Sequence, residues 1–326
     1  MAKLFVEEIS KEGSTETISI PQSKFAEMAE LSFDHIVKAK PIKFSEEEKA
    51  KAKVEGTELK KEEYSFPDIE AFMQEVQLQR IKAFSREKND ITLVVHDFHI
   101  NHDATLGFSI KSKLGGKSTL FNANEDGTNF IFGIKGHLSE EEIVSFNELR
   151  LFKDKFVFLK EKQCKVSSLG HVVDRTFRNN IRYIDRDLLI ILPLMSLIFY
   201  STDKKNLSDV CAEIERINPC CLDSTMDFYQ HKIKQFLIAS ALGMTANTAW
   251  NGIYQANGGY IVVKKDGNLV CFHFYERNQL EDYLFYNTAL ETPSTSRHKF
   301  GKIIKDPETG RLYLKLNLQI RFIHNN

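Results

Sequence analysis

The chain has 326 residues, of which 44 are Lys or Arg and 45 are Asp or Glu, giving a formal net charge of -1. With 42% hydrophobic and 27% charged residues it has the make-up of an average globular protein, which excludes a long disordered chain, a collagen-like fibre and a multi-span membrane protein. At this length roughly three quarters of the unfolded surface can be buried, enough for one large or two ordinary domains.

The opening MAKLFVEEISKEG has no apolar core of the kind a signal peptide needs. Residues 25–37, FAEMAELSFDHIV, repeat apolar positions at helical spacing, and the charged run at 45–64 reads as an exposed helix or loop. Pro67-Asp68 starts a helix that carries apolar residues through Phe84. Three strands are predicted next: Asp90 to Ile100 (DITLVVHDFHI), 107–114 (GFSIKSKL) and 128–134 (TNFIFGI). The stretch 138–245 is mostly helical in pattern. Its 13-residue run at 188–200, LLIILPLMSLIFY, is interrupted by Pro193 and is too short to span a bilayer, so it reads as a buried helix or a strand–helix junction. From Gly258 the pattern returns to strands, first a hairpin around Lys265-Asp266-Gly267, then a second around Asp306-Pro307-Glu308-Thr309-Gly310. Helices, strands, helices and hairpins in that order predict an α/β (α+β) protein with a mixed central sheet flanked by helices.

Charge is unevenly placed. Residues 1–70 hold 11 basic against 16 acidic side chains, whereas residues 292–326 hold 7 basic against 2 acidic, a net of +5. A basic terminal segment suits a phosphate-binding surface or, equally, an ordinary solvated strand pair. The five cysteines contain no C-x-x-C pair and point to a reducing, cytoplasmic compartment, with neither a disulfide framework nor a zinc ribbon.

The segment richest in possible chemistry runs from Asp97 to Lys111. Asp97 ends one predicted strand, and after 11 intervening residues the next strand carries Ser109-Ile110-Lys111. Alternation along a strand puts Ser109 and Lys111 on one side, where a short turn would bring Asp97 beside them. A carboxylate able to hold a metal next to an ammonium able to orient water is the geometry of a PD-(D/E)xK nuclease core, with Ser109 at the usual acidic position. Asp103 is the rival carboxylate. Glu75 and Glu125 are candidates for the charge that Ser109 lacks, and Asn122 can hydrogen-bond phosphate or water. Lys113 and Lys117 follow on the same stretch as candidate DNA contacts.

Two look-alikes fail. LGGKSTL at 114–120 resembles the end of a phosphate-binding loop, but Lys111 stands where that pattern needs Gly, and a strand follows in place of a helix. His96, His99 and His102 are three apart, a spacing that suits neither one face of a strand nor a tight metal site.

At GFSIKS, and again at ETPSTSRHKFGKIIKDPETGRLYLKLNLQIRF (291–322), the sequence resembles the HpaII family of type II restriction endonucleases. TLFNANEDGTNF (119–130), GGYIVVKKDGNLVCFHFYERN (258–278) and LEDYLFYNT (280–288) are similar to the same family. The resemblance covers about 68–134 and 258–323 and implies a restriction-endonuclease-like fold. It divides the chain into an acidic region at 1–66 and a nuclease domain at 67–326, with catalytic core 67–135, helical middle 138–245 and C-terminal hairpins 258–323 against DNA. It implies Mg²⁺-dependent cutting of both strands of duplex DNA at a short palindrome, CCGG for the namesake, leaving a 5′ phosphate and a 3′ hydroxyl. Asp97 would then ligand the metal and Lys111 position the attacking water. Ser294, Ser296, Arg297, His298 and Lys299 would contact phosphates or bases, with Arg297 suited to guanine. Palindrome cutting implies a homodimer, and such an enzyme is expected to have a cognate methyltransferase as a genetic partner, not a bound subunit. Residues 1–66 depart from the family's pattern, holding no Trp and no counterpart of its Gly-Glu-Trp-Ser-Glu-like opening run. The alternative expectation is therefore a sequence-specific DNA-binding protein on the same fold with impaired or lost cleavage.

Overall fold

In the computed structural model the described residues are 88–97, 102–112, 118–125, 127–264, 269–273 and 277–323, with segments at 4–9, 15–20, 23–24, 27–28, 30–31 and 71–72. The expected elements at 25–37, 45–64 and 68–84 lie largely outside them; Ala71 and Phe72, within the last, are helical. The chain forms two compact units. One comprises residues 1–83, 92–106 and 264–268, the other residues 84–91, 107–263 and 269–326.

In the first unit β1 (Leu4–Ile9) and β2 (Thr15–Ile20) form an antiparallel ribbon. Most of β3 (Ile91–Asp97) lies in this unit, beside the first half of β4 (His102–Ser112).

The second unit is built on the predicted strands and helices. From Phe108 to Ser112, β4 pairs in parallel with β8 (Gly259–Val263), with Ser109 opposite Tyr260 and Lys111 opposite Val262. The predicted hairpin follows, β8 pairing antiparallel with β9 (Leu269–His273), so the sheet is mixed as expected. Gly107 sits where this sheet admits no side chain: a Cβ there would come within 2.4 Å of the Gln255 carbonyl oxygen.

A second sheet has the order β11 (Ile303–Lys305), β12 (Leu312–Asn317), β6 (Asn129–Lys135), β7 (Lys165–Val172), antiparallel throughout. Alternation in NFIFGIK and LYLKLN buries Phe130, Phe132, Leu314 and Leu316 on one face. The strand β7 stands inside the stretch read as helical. It is an edge strand with most of its side chains exposed, so KVSSLGHV shows little apolar alternation. A third sheet places β13 (Ile320–Phe322) between β10 (Thr288–Leu290) and β5 (Thr119–Phe121), the strand that stands where a phosphate-binding loop would need a helix.

Among the described residues seven helices cover these sheets: α1 (Glu140–Glu148), α2 (Phe152–Glu161), α3 (Arg175–Ile184), α4 (Leu188–Ser201), α5 (Leu207–Ile217), α6 (Phe228–Leu242) and α7 (Arg277–Tyr286). Ser139 caps α1 in a reciprocal box with Glu142, and Asp174 caps α3 through the Phe177 N–H. The run with Pro193 is one continuous helix, α4, packed against β7 and β12. Gly170 on β7 makes room for it, since a Cβ there would meet the Phe132 ring at 2.4 Å and Pro193 at 2.8 Å. Phe121 joins the sheet to the helices by stacking on Phe177 at 5.5 Å and meeting Phe236 edge-on at 5.2 Å. No helix among the described residues is long and apolar enough to cross a membrane.

Candidate active site and nucleic-acid interface

Ser109 and Lys111 lie on β4 where alternation places them, Ser109 buried and Lys111 half-buried. Among the described residues the carboxylate that meets Ser109 is Asp90, at the entrance to β3. Its N–H donates to the Phe108 carbonyl at 2.7 Å, which fixes it beside β4. One carboxylate oxygen, Oδ2, accepts the Ile110 N–H at 2.6 Å and the Ser109 hydroxyl at 3.4 Å. Ser109 thus holds the carboxylate in place, and the exposed Asp90 keeps Oδ1 for other partners.

Lys88 completes this cluster. Its N–H donates to Gln255 Oε1 at 2.8 Å and its ammonium to the Ser240 carbonyl at 2.9 Å. Burial, and after it the neighbouring Lys111 ammonium, push the Lys88 amine down to about 8, against the opposing pull of Asp90. Two ammoniums and one carboxylate therefore act on each other here. Lys88 also lines a cavity of about 390 Å³ together with Asn122, Asn124, Thr245, Asn247 and Thr248. Beneath the strand, Tyr260 is wholly buried and its hydroxyl has no hydrogen-bond partner among the described residues. Burial first, then Tyr283 and Asp90, raise it well above its usual value, so it keeps its proton.

Around the C-terminal block a second cluster gathers. Pro293 and Phe300 are buried, Phe300 stacking on Phe152 at 5.8 Å, and between them Ser294, Ser296, Arg297 and Lys299 are exposed. The turn closes through His298 N–H to the Ser294 carbonyl at 3.1 Å and a hydroxyl contact of 3.2 Å between Ser294 and Ser296. Lys299 takes a left-handed conformation, φ 45°, and pairs with Glu125 at 2.7 Å. Burial, then Arg297, hold the His298 imidazole below its usual value, against Glu125. Under this turn lies a polar network. Thr128 donates to Asn317 Oδ1 at 3.1 Å, and the Asn317 amide donates to Asn129 Oδ1 at 2.7 Å and to the Asn124 carbonyl at 3.0 Å. The Asn129 amide in turn donates to the carbonyls of Glu125 and His298. The loop 122–128 and the turn 294–299 are thereby locked together.

The structure therefore joins Ser109, Lys111 and Asn122 around Lys88 and Asp90, and joins Glu125 to Lys299 and the 294–299 turn. Asp97 and Asp103 stand on β3 and β4, but their side chains are outside the described residues, as are those of His96, His99 and His102. Glu75, Lys113 and Lys117 lie outside the described residues altogether. Sequence reasoning passed over Asp90, Lys88 and the buried asparagines. The available signal was Asp90 at a strand entrance 19 residues ahead of Ser109; Asn129 and Asn317 fall on the polar alternation of their strands and gave none.

The donor set fits a hard divalent cation. Such an ion is held by one or two carboxylates and completes its shell with water and phosphate oxygens, and Asp90 offers a carboxylate braced from one side and open on the other. Among the described residues no three His, Cys, Asp or Glu side chains gather into one group.

A mixed sheet that sets a braced carboxylate beside Ser-Ile-Lys on the neighbouring strand, with helices on its faces, defines a restriction-endonuclease-like nuclease fold. The profile of the HpaII restriction endonuclease matches residues 48–322. The type II restriction enzyme HpaII of Haemophilus parainfluenzae is 41% identical over 262 residues, which are 80% of this chain and 72% of that enzyme. The chain belongs to the HpaII restriction endonuclease family and is a site-specific deoxyribonuclease. The match runs through the helical middle, beyond the two blocks in which the resemblance was legible. No solved structure matches the chain.

Proposed function

We propose that the protein cuts both strands of duplex DNA at a short palindrome, CCGG on the pattern of its relative, with Mg²⁺, leaving a 5′ phosphate and a 3′ hydroxyl. The observation that carries this reading is the Asp90 carboxylate braced by the Ile110 N–H and Ser109, with Lys111 next along the strand. Asp90 would hold the cation, with Asp97, Asp103, Glu75 and Glu125 as further candidate carboxylates. The cation, when bound, supplies a more acidic coordinated water and positive charge against the phosphate. Ser109 and the Ile110 N–H hold the carboxylate in position. Lys111 orients the attacking water and offsets the charge that builds on phosphorus in the transition state.

The exposed turn 294–299 is the reading surface in this proposal. Arg297 meets a guanine edge, Ser294, Ser296, His298 and Lys299 meet phosphates or bases, and Lys113 and Lys117 meet the backbone. The enzyme works as a cytoplasmic homodimer, one half-site per subunit, alongside a methyltransferase that protects the host DNA.

The test is to incubate the purified protein with unmethylated phage-length DNA, with Mg²⁺ or with EDTA, and to map the ends of the fragments. Discrete bands with Mg²⁺ alone, ending within CCGG, are expected. DNA retarded on a native gel yet uncut with Mg²⁺ would replace this reading with that of a cleavage-deficient binding protein, which a single described carboxylate at the site would then explain.

A further inference from the structure

The cavity beside the Asp90–Lys111 cluster has a chemistry of its own. It measures about 390 Å³, at the small end of the range for ligand sites. None of its lining residues is acidic, so it has no carboxylate with which to hold a cation. Its polar lining residues, Lys88, Asn122, Asn124, Thr245, Asn247 and Thr248, each carry a hydrogen-bond donor. Lys88 carries three N–H donors and gives one to the Ser240 carbonyl, an uncharged partner. With Lys111 close by and Asp90 as the opposing charge, the local balance favours an anion.

We infer that this cavity is a binding site for a backbone phosphate of the DNA, with Lys88 as its ion-pairing group and Asn122 as a hydrogen-bond donor at its exposed mouth. The inference rests on the DNA-cutting reading above and adds a contact to it. A phosphodiester fits the donor set because it is singly charged and accepts several hydrogen bonds at once. The same two chain segments, 88–90 and 121–124, then serve the reaction and the register of the strand. Lys88 and Asp90 are two residues apart, so a phosphate seated on Lys88 fixes where the backbone passes the Asp90 carboxylate.

The experiment measures binding without cutting. A fluorescein-labelled duplex containing CCGG is titrated in EDTA at several KCl concentrations against the wild-type chain, Lys88→Gln and Asn122→Asp, with circular dichroism checking each fold. Losing one phosphate contact lowers the slope of log affinity against log salt by about 0.9. Lys88→Gln is expected to show that loss with binding weakened about tenfold, uniformly across sequences. Asn122→Asp, which puts a negative charge at the mouth, is expected to weaken binding at least as much. A set of duplexes with one neutral methylphosphonate linkage each then identifies the phosphate: one position weakens wild-type binding and leaves Lys88→Gln unaffected. Wild-type binding and cutting with both variants unchanged in slope and affinity would overturn the inference alone. Should Lys88→Gln fail to fold, an undiminished affinity in Asn122→Asp overturns it. Failure of the wild-type chain to bind or cut DNA overturns the functional reading beneath it as well.

Discussion

A carboxylate held on one oxygen by a backbone N–H and a hydroxyl is fixed in direction, with its second oxygen left to face outward. That makes Asp90 the residue on which the proposed chemistry turns. Asp90→Asn is expected to lower the rate of Mg²⁺-dependent cleavage by at least about 100-fold, since the charge opposite the cation is lost, with duplex affinity in EDTA undiminished. Asp97→Asn, assayed beside it, measures whether a second carboxylate serves the site. Full activity in Asp90→Asn together with loss in Asp97→Asn would return the metal to the position that strand spacing alone suggested. The contact of Asp90 with Ser109 was hidden in the sequence for a physical reason. Asp97 looked apt because a turn of modest length separates it from Ser109. Asp90 earns its contact through a backbone bond from its own N–H to Phe108, a pairing that no one-dimensional spacing displays. Lys111 and Ser109 were legible because strand alternation is local.

Elements with strong periodicity and clear turns came out as read. The hairpin β8–β9, the hairpin β11–β12 and the helix α4 each carry an apolar pattern that burial requires. The strand β7 did not, because an exposed edge asks little of its side chains. A less visible element device is Lys155 on α2, which is 4% exposed and donates its ammonium to the Phe146 carbonyl in the last turn of α1 at 2.8 Å. It supplies a second partner, beside the Leu149 N–H, to a carbonyl at a helix end, where intrahelical donors run out. Burial, then Lys302, bring its amine down to about 8 from the 10.5 of a free lysine. The native state therefore bears the full cost of the buried charge below pH 8. Between 8 and 10.5 the unfolded chain binds the proton and the native chain does not, so this residue makes stability rise with pH, by up to about 1.4 kcal/mol per unit. Urea denaturation at pH 7, 8, 9 and 10 should show that rise in the difference between wild type and Lys155→Met. The comparison cancels other groups, such as the buried Cys211 thiol, whose raised value acts in the opposite direction. Equal slopes in the two proteins would mean that Lys155 titrates as an ordinary surface lysine.

At the scale of the whole molecule, a net charge of -1 gives no general attraction to DNA, so affinity has to come from local clusters. Two stand out among the described residues: the Lys88–Lys111 cavity edge and the turn with Arg297 and Lys299. Each is small. One copy of the chain would hold a duplex through few phosphates, whereas two copies related by a two-fold axis double that number and match the symmetry of a palindrome. This yields a prediction separate from those on single residues. At concentrations that support cleavage, sedimentation should find twice the mass of the chain. A duplex with one half of CCGG scrambled should bind more weakly by about 1–3 kcal/mol for each changed base pair, and cutting should fall on both strands together. Sedimentation at the mass of one chain, with the intact half-site still cut at its full rate on one strand, would show that each subunit reads and cuts by itself. The reading turn 294–299 and the Asp90 cluster would then have to serve a complete site within a single chain.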